Sequence, residues 1–92
     1  MAFIYILESL QDGKFYTGST VDLKRRLEQH RSGKVKSTKS RLPVKLVYFE
    51  KLESELKARQ REIFLKTPAG GVTKKVLVRD FLMVNPDPEQ LL

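Results

Sequence analysis

The chain has 92 residues, with 18 Lys and Arg against 11 Asp and Glu, one histidine, no cysteine and a net charge of +7. That length accommodates one hydrophobic core, so residues 1–92 are expected to form a single domain; 40% hydrophobic and 32% charged residues fit a compact fold rather than a disordered chain. The lack of cysteine excludes disulfides and Cys-based zinc, and a lone histidine cannot build a metal site by itself. The apolar start, MAFIYILESL, has no basic leader and is too short to span a bilayer, so a cytoplasmic location is expected.

Residues 2–8 (Ala-Phe-Ile-Tyr-Ile-Leu-Glu) are β-branched and aromatic and predict a strand. Gln11-Asp12-Gly13-Lys14 predicts a hairpin turn, and Phe15-Tyr16-Thr17-Gly18 the returning antiparallel strand. Ser19-Thr20-Val21-Asp22 has the form of a helix N-terminal cap with an acid three residues on. A helix from about Asp22 to Arg31 should come next, with Leu23 and Leu27 one turn apart facing the core. Ser32 to Pro43 is polar and basic and reads as a loop. Val44 to Glu50 predicts a third strand. Ser54 is placed to cap a second helix running to about Lys66, with Pro68 ending it and Gly70-Gly71 separating it from the next element. Thr73 to Val84 is apolar enough for a helix or a strand; Lys74, Lys75, Arg79 and Asp80 interrupt it irregularly, which favours a third helix, and the remainder is turn-like.

The charge is unevenly placed. Between Lys24 and Lys45 there are nine basic residues and a single acid, Glu28, a net +8 that leaves the other seventy residues at −1. An excess confined to one segment suggests a surface that faces a polyanion. A solvated basic loop would look the same, whereas a membrane-surface helix would need an aromatic and leucine face that this segment lacks.

Three groups of side chains are chemically suggestive. Tyr5 and Tyr16 fall across the predicted hairpin within a register step or two of each other; a tyrosine in a strand is ordinary, and a half-buried phenol simply needs a partner. Asp22, Arg26 and His30 are spaced four residues apart along one helix face. An Asp–Arg pair at that spacing can merely support the helix, but a guanidinium beside a titratable imidazole also suits phosphate chemistry. Glu62 shares an angular sector with Ala58 and Leu65, which turns a carboxylate partly toward the core. Either a divalent cation or a salt bridge to Arg59, Arg61 or Lys66 would account for it.

Taken in order, Phe3-Ile4-Tyr5, then Tyr16-Thr17-Gly18, then Asp22 through Arg26 to His30, and finally Arg61-Glu62-Ile63-Phe64-Leu65-Lys66 resemble the signature of the GIY-YIG nuclease superfamily. The similarity is to its small standalone members, of the excision-repair-nuclease-like, UPF0213 type. It covers roughly residues 2–66 in register, with Asn85-Pro86 similar to a terminal element of those members. The first motif has Phe where the family has Gly, and the second has Thr where the family has Ile; neither change removes a functional side chain. The resemblance implies an α+β fold (an α/β chain) in the order β-β-α-β-α-α, a three-stranded antiparallel sheet flanked by helices.

It further implies a catalytic set of Tyr5, Tyr16, Arg26, His30 and Glu62. Tyr16 would be the general base, hydrogen-bonded to or supported by Tyr5. Arg26 would stabilise the pentavalent phosphate, assisted by His30, and Glu62 would hold a single Mg2+ or Mn2+. Gly18 would be the small residue where backbone meets the site. Nucleic-acid contacts are expected from Gly18, Lys24, Arg25, Arg31, Lys34, Lys36, Lys39, Arg41 and Asn85. The implied function is metal-dependent hydrolysis of DNA phosphodiesters in repair or processing, with RNA as a further candidate partner. A partner protein could supply specificity, and no membrane is involved. A basic binding module with little or no activity is the alternative, and a purely structural basic domain is a third reading.

Overall fold

In a computed structural model that describes all 92 residues, the chain forms three strands and three α-helices. Strand β1 spans Ala2–Ser9, β2 Phe15–Thr20 and β3 Val44–Leu52; helix α1 spans Leu23–Arg31, α2 Glu55–Leu65 and α3 Pro68–Val84. Short 3-10 turns occupy Lys39–Arg41 and Pro88–Leu91. The sheet is antiparallel in the order β2-β1-β3. This is the expected α+β arrangement.

Strand β1 is central and covered on both sides, which is why it reads as a nearly continuous apolar run rather than an alternating one. Ala2, Ile4 and Ile6 face α2 and α3 with Val47, Tyr48, Ala58, Leu65 and Val78; Tyr5 and Leu7 face α1 with Leu23, Leu27, Val44 and Leu46. A bulge opposite Ile6 and Leu7 lets Val47 intervene between the pairs Ile6↔Tyr48 and Leu7↔Leu46. No helix is long and apolar enough to cross a membrane.

Two local expectations are corrected. Ser19 and Thr20 do not begin a helix: β2 runs through both, and Asp22 is the N-cap, its carboxylate accepting from the Arg25 N–H at 3.1 Å. Asp22 is therefore not Arg26's partner.

The second correction concerns Pro68 and the two glycines, which lie inside the start of α3 rather than in a break before Thr73. Proline is tolerated at the first helical position, where its missing N–H would have had no intrahelical partner. Thr67 caps the helix, accepting from the Gly70 N–H at 3.1 Å. A Cβ on Gly70 would lie 1.9 Å from the Phe64 carbonyl oxygen and 2.6 Å from the Leu65 Cα, so only glycine lets α3 start against the end of α2. The basic loop is also more ordered than its composition suggests, since Val35 and Thr38 are buried within it.

Candidate active site on the edge strand

The first part of the site arises from strand register. Tyr5 pairs with Gly18 and Tyr16 with Leu7, so both phenols project from the α1 face of the sheet, with ring centroids 6.4 Å apart. Helix α1 crosses this face and buries Leu23 and Leu27. That places Arg26, one residue before Leu27, and His30, three residues after it, against the tyrosines.

Tyr5 is fully buried, and its hydroxyl lies 2.8 Å from His30 Nε2. Arg26 Nε donates to the Tyr5 oxygen at 3.4 Å, and His30 Nδ1 lies 2.7 Å from Thr38 Oγ1. The Tyr5 oxygen accepts from Arg26, and since His30 Nε2 is the sole acceptor bonded to the buried Tyr5 hydroxyl, its proton is assigned to that bond. This assigns His30 the tautomer that carries its proton on Nδ1 and donates it to Thr38. Gly18 lies beneath this chain: a Cβ there would sit 2.5 Å from the Tyr5 hydroxyl oxygen and 2.7 Å from its ring carbon. Any side chain at 18 would push Tyr5 off His30.

Burial separates the roles of the two tyrosines. Desolvation pushes the Tyr5 hydroxyl up to about 12, so it remains protonated at neutral pH. Of the two relations expected between Tyr5 and Tyr16, the direct hydrogen bond is absent, because Tyr5 bonds to His30 and Arg26 instead, and the rings are neighbours only. Tyr16 is half-buried, packs edge-on against His30 with ring centroids 5.2 Å apart, and its hydroxyl interacts with the Arg26 side chain. The Arg26 charge is favoured most by the Tyr5 hydrogen bond, with a further contribution from Tyr16, against the opposing effect of burial. Arg26 also donates to Gln29 Oε1 at 3.2 Å.

His30 departs from expectation. It is wholly buried with both nitrogens engaged, and desolvation followed by the nearby Arg26 charge lowers it to about 4. It is neutral at pH 7 rather than poised to titrate there. This predicts a pH signature of stability. Below about 6.5 the unfolded chain takes up a proton that folded His30 refuses until about 4, so this contribution is complete above pH 6.5 and is lost as pH falls through that interval. The full interval corresponds to at most about 3 kcal/mol. Urea midpoints measured across it should fall less steeply for His30→Gln than for the unmodified chain; parallel curves would refute the assignment.

Glu62 occupies the other side of β2. Alternation along the strand sends Thr17 and Ser19 to the α2/α3 face, opposite to Tyr16. There Ser19 donates to Glu62 Oε1 at 2.6 Å and Lys66 donates to Oε2 at 2.7 Å. Burial would raise the Glu62 carboxyl, but the Lys66 and Ser19 hydrogen bonds and the Lys66 and Arg59 charges together hold it below the usual carboxylate range. Of the competing basic neighbours weighed from sequence, Lys66 is therefore the salt-bridge partner, while Arg61 is bonded to Glu50 through Nε at 3.1 Å and Nη2 at 2.9 Å. The two halves of the site meet at the β2 edge: Lys66 Nζ lies 6.0 Å from the Tyr16 ring centroid, and Glu62 contributes to the elevation of Tyr5.

No set of three or more His, Asp or Glu side chains converges as a metal cage. Glu62 alone nevertheless fits a Mg2+-type ion, which keeps most of its waters and takes one or two carboxylates plus substrate phosphate oxygens. Each Glu62 oxygen has one hydrogen-bond partner and so retains a lone pair. An open cleft of about 290 Å³ begins beside the site, lined by Ser19, Thr20, Asp22, Arg25, Arg26 and Gln29.

Among the expected nucleic-acid contacts, Lys24, Arg25, Lys34, Lys36 and Lys39 are exposed, Arg41 is half-buried, and none of the six has an acidic partner. Arg31 is paired with Glu89. Asn85 is not brought to the cluster: it caps α3, its Nδ2 donating to the Phe81 carbonyl at 3.3 Å. Sequence reasoning missed Thr38 and Ser19. Period-two alternation along β2 could have placed Ser19 opposite Tyr16, but nothing local marks Thr38.

Comparison with known proteins gives a consistent picture. The model of a family described as the GIY-YIG catalytic domain matches residues 1–75. The chain is 48% identical over 66 residues to UPF0213 protein SAG0778 of Streptococcus agalactiae serotype V, covering 71% of this chain and 74% of that protein. It is 41% identical over 87 residues to a UPF0213 protein of Streptococcus pneumoniae serotype 4, covering 94% and 82% respectively. The solution NMR structure of the UPF0213 protein BH0048 from Bacillus halodurans superposes with a TM-score of 0.52 at 36% identity, over 84% of this chain and 85% of that one.

Proposed function

The chain belongs to the GIY-YIG catalytic-domain family, and from that premise we propose that it is a metal-dependent endonuclease hydrolysing DNA phosphodiester bonds. The observation that carries this reading is the convergence at one edge strand of a half-buried phenol, a guanidinium that interacts with it and an acidic carboxylate. Tyr16, in its deprotonated phenolate form beside the Arg26 guanidinium, accepts the proton of the attacking water. Arg26, locked by Tyr5 and Gln29, stabilises charge on the phosphoryl oxygens. Tyr5 and His30 act as positioning residues, a directed hydrogen-bond chain anchored on Thr38. Glu62 would hold Mg2+ or Mn2+, which supplies charge neutralisation at the leaving oxygen. The exposed residues Lys24, Arg25, Lys34, Lys36 and Lys39, with Arg41, supply the general affinity for the DNA backbone. The reading extends to DNA repair or processing in the cytoplasm, with a partner protein conferring specificity.

One observation favours the alternative, a binding module without activity: both Glu62 oxygens already accept a hydrogen bond, one from Ser19 and one from Lys66. A Mn2+ titration separates the two. The nuclease reading predicts nicking of plasmid or branched DNA that saturates with metal and is lost in Glu62→Ala. DNA binding that ignores metal, with no cutting of single-stranded, duplex, flap or branched substrates, would establish the module instead.

A further inference from the structure

We infer that Lys74, together with Lys66, forms a second phosphate-binding position on the α2/α3 side of the β2 edge, so that a nucleic-acid backbone bound at Arg26 continues across that edge. The inference rests on the nucleic-acid reading of the site but not on cleavage. Lys74 lies outside the basic 24–45 segment, in α3, and reaches back to β2, where its Nζ donates to Thr17 Oγ1 at 3.1 Å. Thr17 lies between Tyr16 and Gly18 and is buried on the opposite face of the strand.

The electrostatics of Lys74 are unusual for an internal tether. It is half-buried, yet none of the six ion pairs includes it, whereas the equally half-buried Arg61 has Glu50. Burial, and then repulsion from Lys66, both push the Lys74 ammonium down. Both ammonium groups reach neighbouring residues of the β2 edge, Lys66 beside the Tyr16 ring and Lys74 on Thr17, while the carboxylate there, Glu62, is already bonded to Lys66. Gathering like charges and half-burying one of them costs free energy that a tether alone could avoid, and an anion would offset it. The strand edge between Arg26 and Lys74 carries Tyr16, so an anionic chain spanning both would pass over the phenol.

The test is salt-dependent binding of a short labelled DNA duplex of mixed sequence, in EDTA so that nothing is cut. Removing one phosphate contact should reduce the slope of log affinity against log salt by about 0.9. Lys74→Met is expected to show that loss. Lys74→Arg should keep the slope, as should Lys51→Met on the opposite edge strand. Thr17→Val breaks the tether and keeps the charge; if Lys74 only holds α3 in place, this variant and Lys74→Met will weaken binding alike, which would overturn the inference. An unchanged slope in folded Lys74→Met would do so too. Cutting in Mg2+ by a protein whose slope ignores Lys74 sinks this inference alone, whereas a slope loss without any cutting sinks the nuclease reading alone.

Discussion

Tyr16→Phe is expected to slow metal-dependent DNA cleavage by about 10²–10⁴-fold, the usual contribution of a positioned general base, while DNA affinity stays nearly unchanged. The substitution removes one oxygen and keeps the ring, which packs against His30 and Tyr5. Arg26 keeps its hydrogen bonds to Tyr5 and Gln29 when the Tyr16 hydroxyl is lost, so no buried donor or acceptor is left unpaired. Stability should therefore barely change, and the defect should be confined to turnover. Tyr5→Phe makes the informative contrast. It deprives His30 Nε2 and Arg26 Nε of their shared partner, so both stability and turnover should fall. Single-turnover cleavage and thermal melts on the two variants decide the matter. Equal cleavage by Tyr16→Phe and the unmodified chain would remove Tyr16 from the mechanism.

The neighbouring glycines of α3 should respond in opposite directions. Gly70→Ala is expected to destabilise the fold by about 3 kcal/mol, at the upper end for overpacking. The new methyl meets backbone of α2, which cannot rotate away as a side chain could. Gly71→Ala meets nothing within 4 Å and should stabilise by up to about 1 kcal/mol through helix propensity. Urea denaturation of both variants would show midpoints displaced to opposite sides of the parent. A shift of both in the same direction would mean that the contact between α2 and the start of α3 is misplaced. Since Leu65, at the end of α2, lies in that contact and Glu62 lies one turn before it, Gly70→Ala should also impair any activity that depends on Glu62.

Much of this was legible in the sequence because it derives from period. Two-residue alternation brought Tyr5 and Tyr16 to one face, and four-residue spacing put Arg26 and His30 on one side of α1. The angular sector of Glu62 was equally readable. The misreadings arose where tertiary contact outweighed a local signal. Pro68 and the two glycines looked like a break because a sequence does not show that one helix end must pass within contact of another. Asp22 looked like a partner for Arg26 until the capping geometry claimed it. His30 looked titratable because burial by Tyr5, Tyr16 and Thr38 comes from three separate segments. Thr38 itself carries no local mark, since its partner lies eight residues away on a helix.

The proposed site draws its side chains from both faces of β2, which has a consequence for assembly. Only a strand with one open side can bring residues from its two faces to a common ligand; an interior strand is walled off by its neighbours. An open side, with its row of unpaired N–H and C=O groups, is ordinarily a liability that invites another chain to add on and aggregate. Here, a visiting strand that paired with β2 by β-augmentation would lie over the place where Tyr16, Arg26 and Glu62 converge. On the proposed function that margin has to stay uncovered, so protection against aggregation comes from elsewhere: from the shortness of a six-residue strand and from the cationic side chains of Lys66 and Lys74 posted beside it.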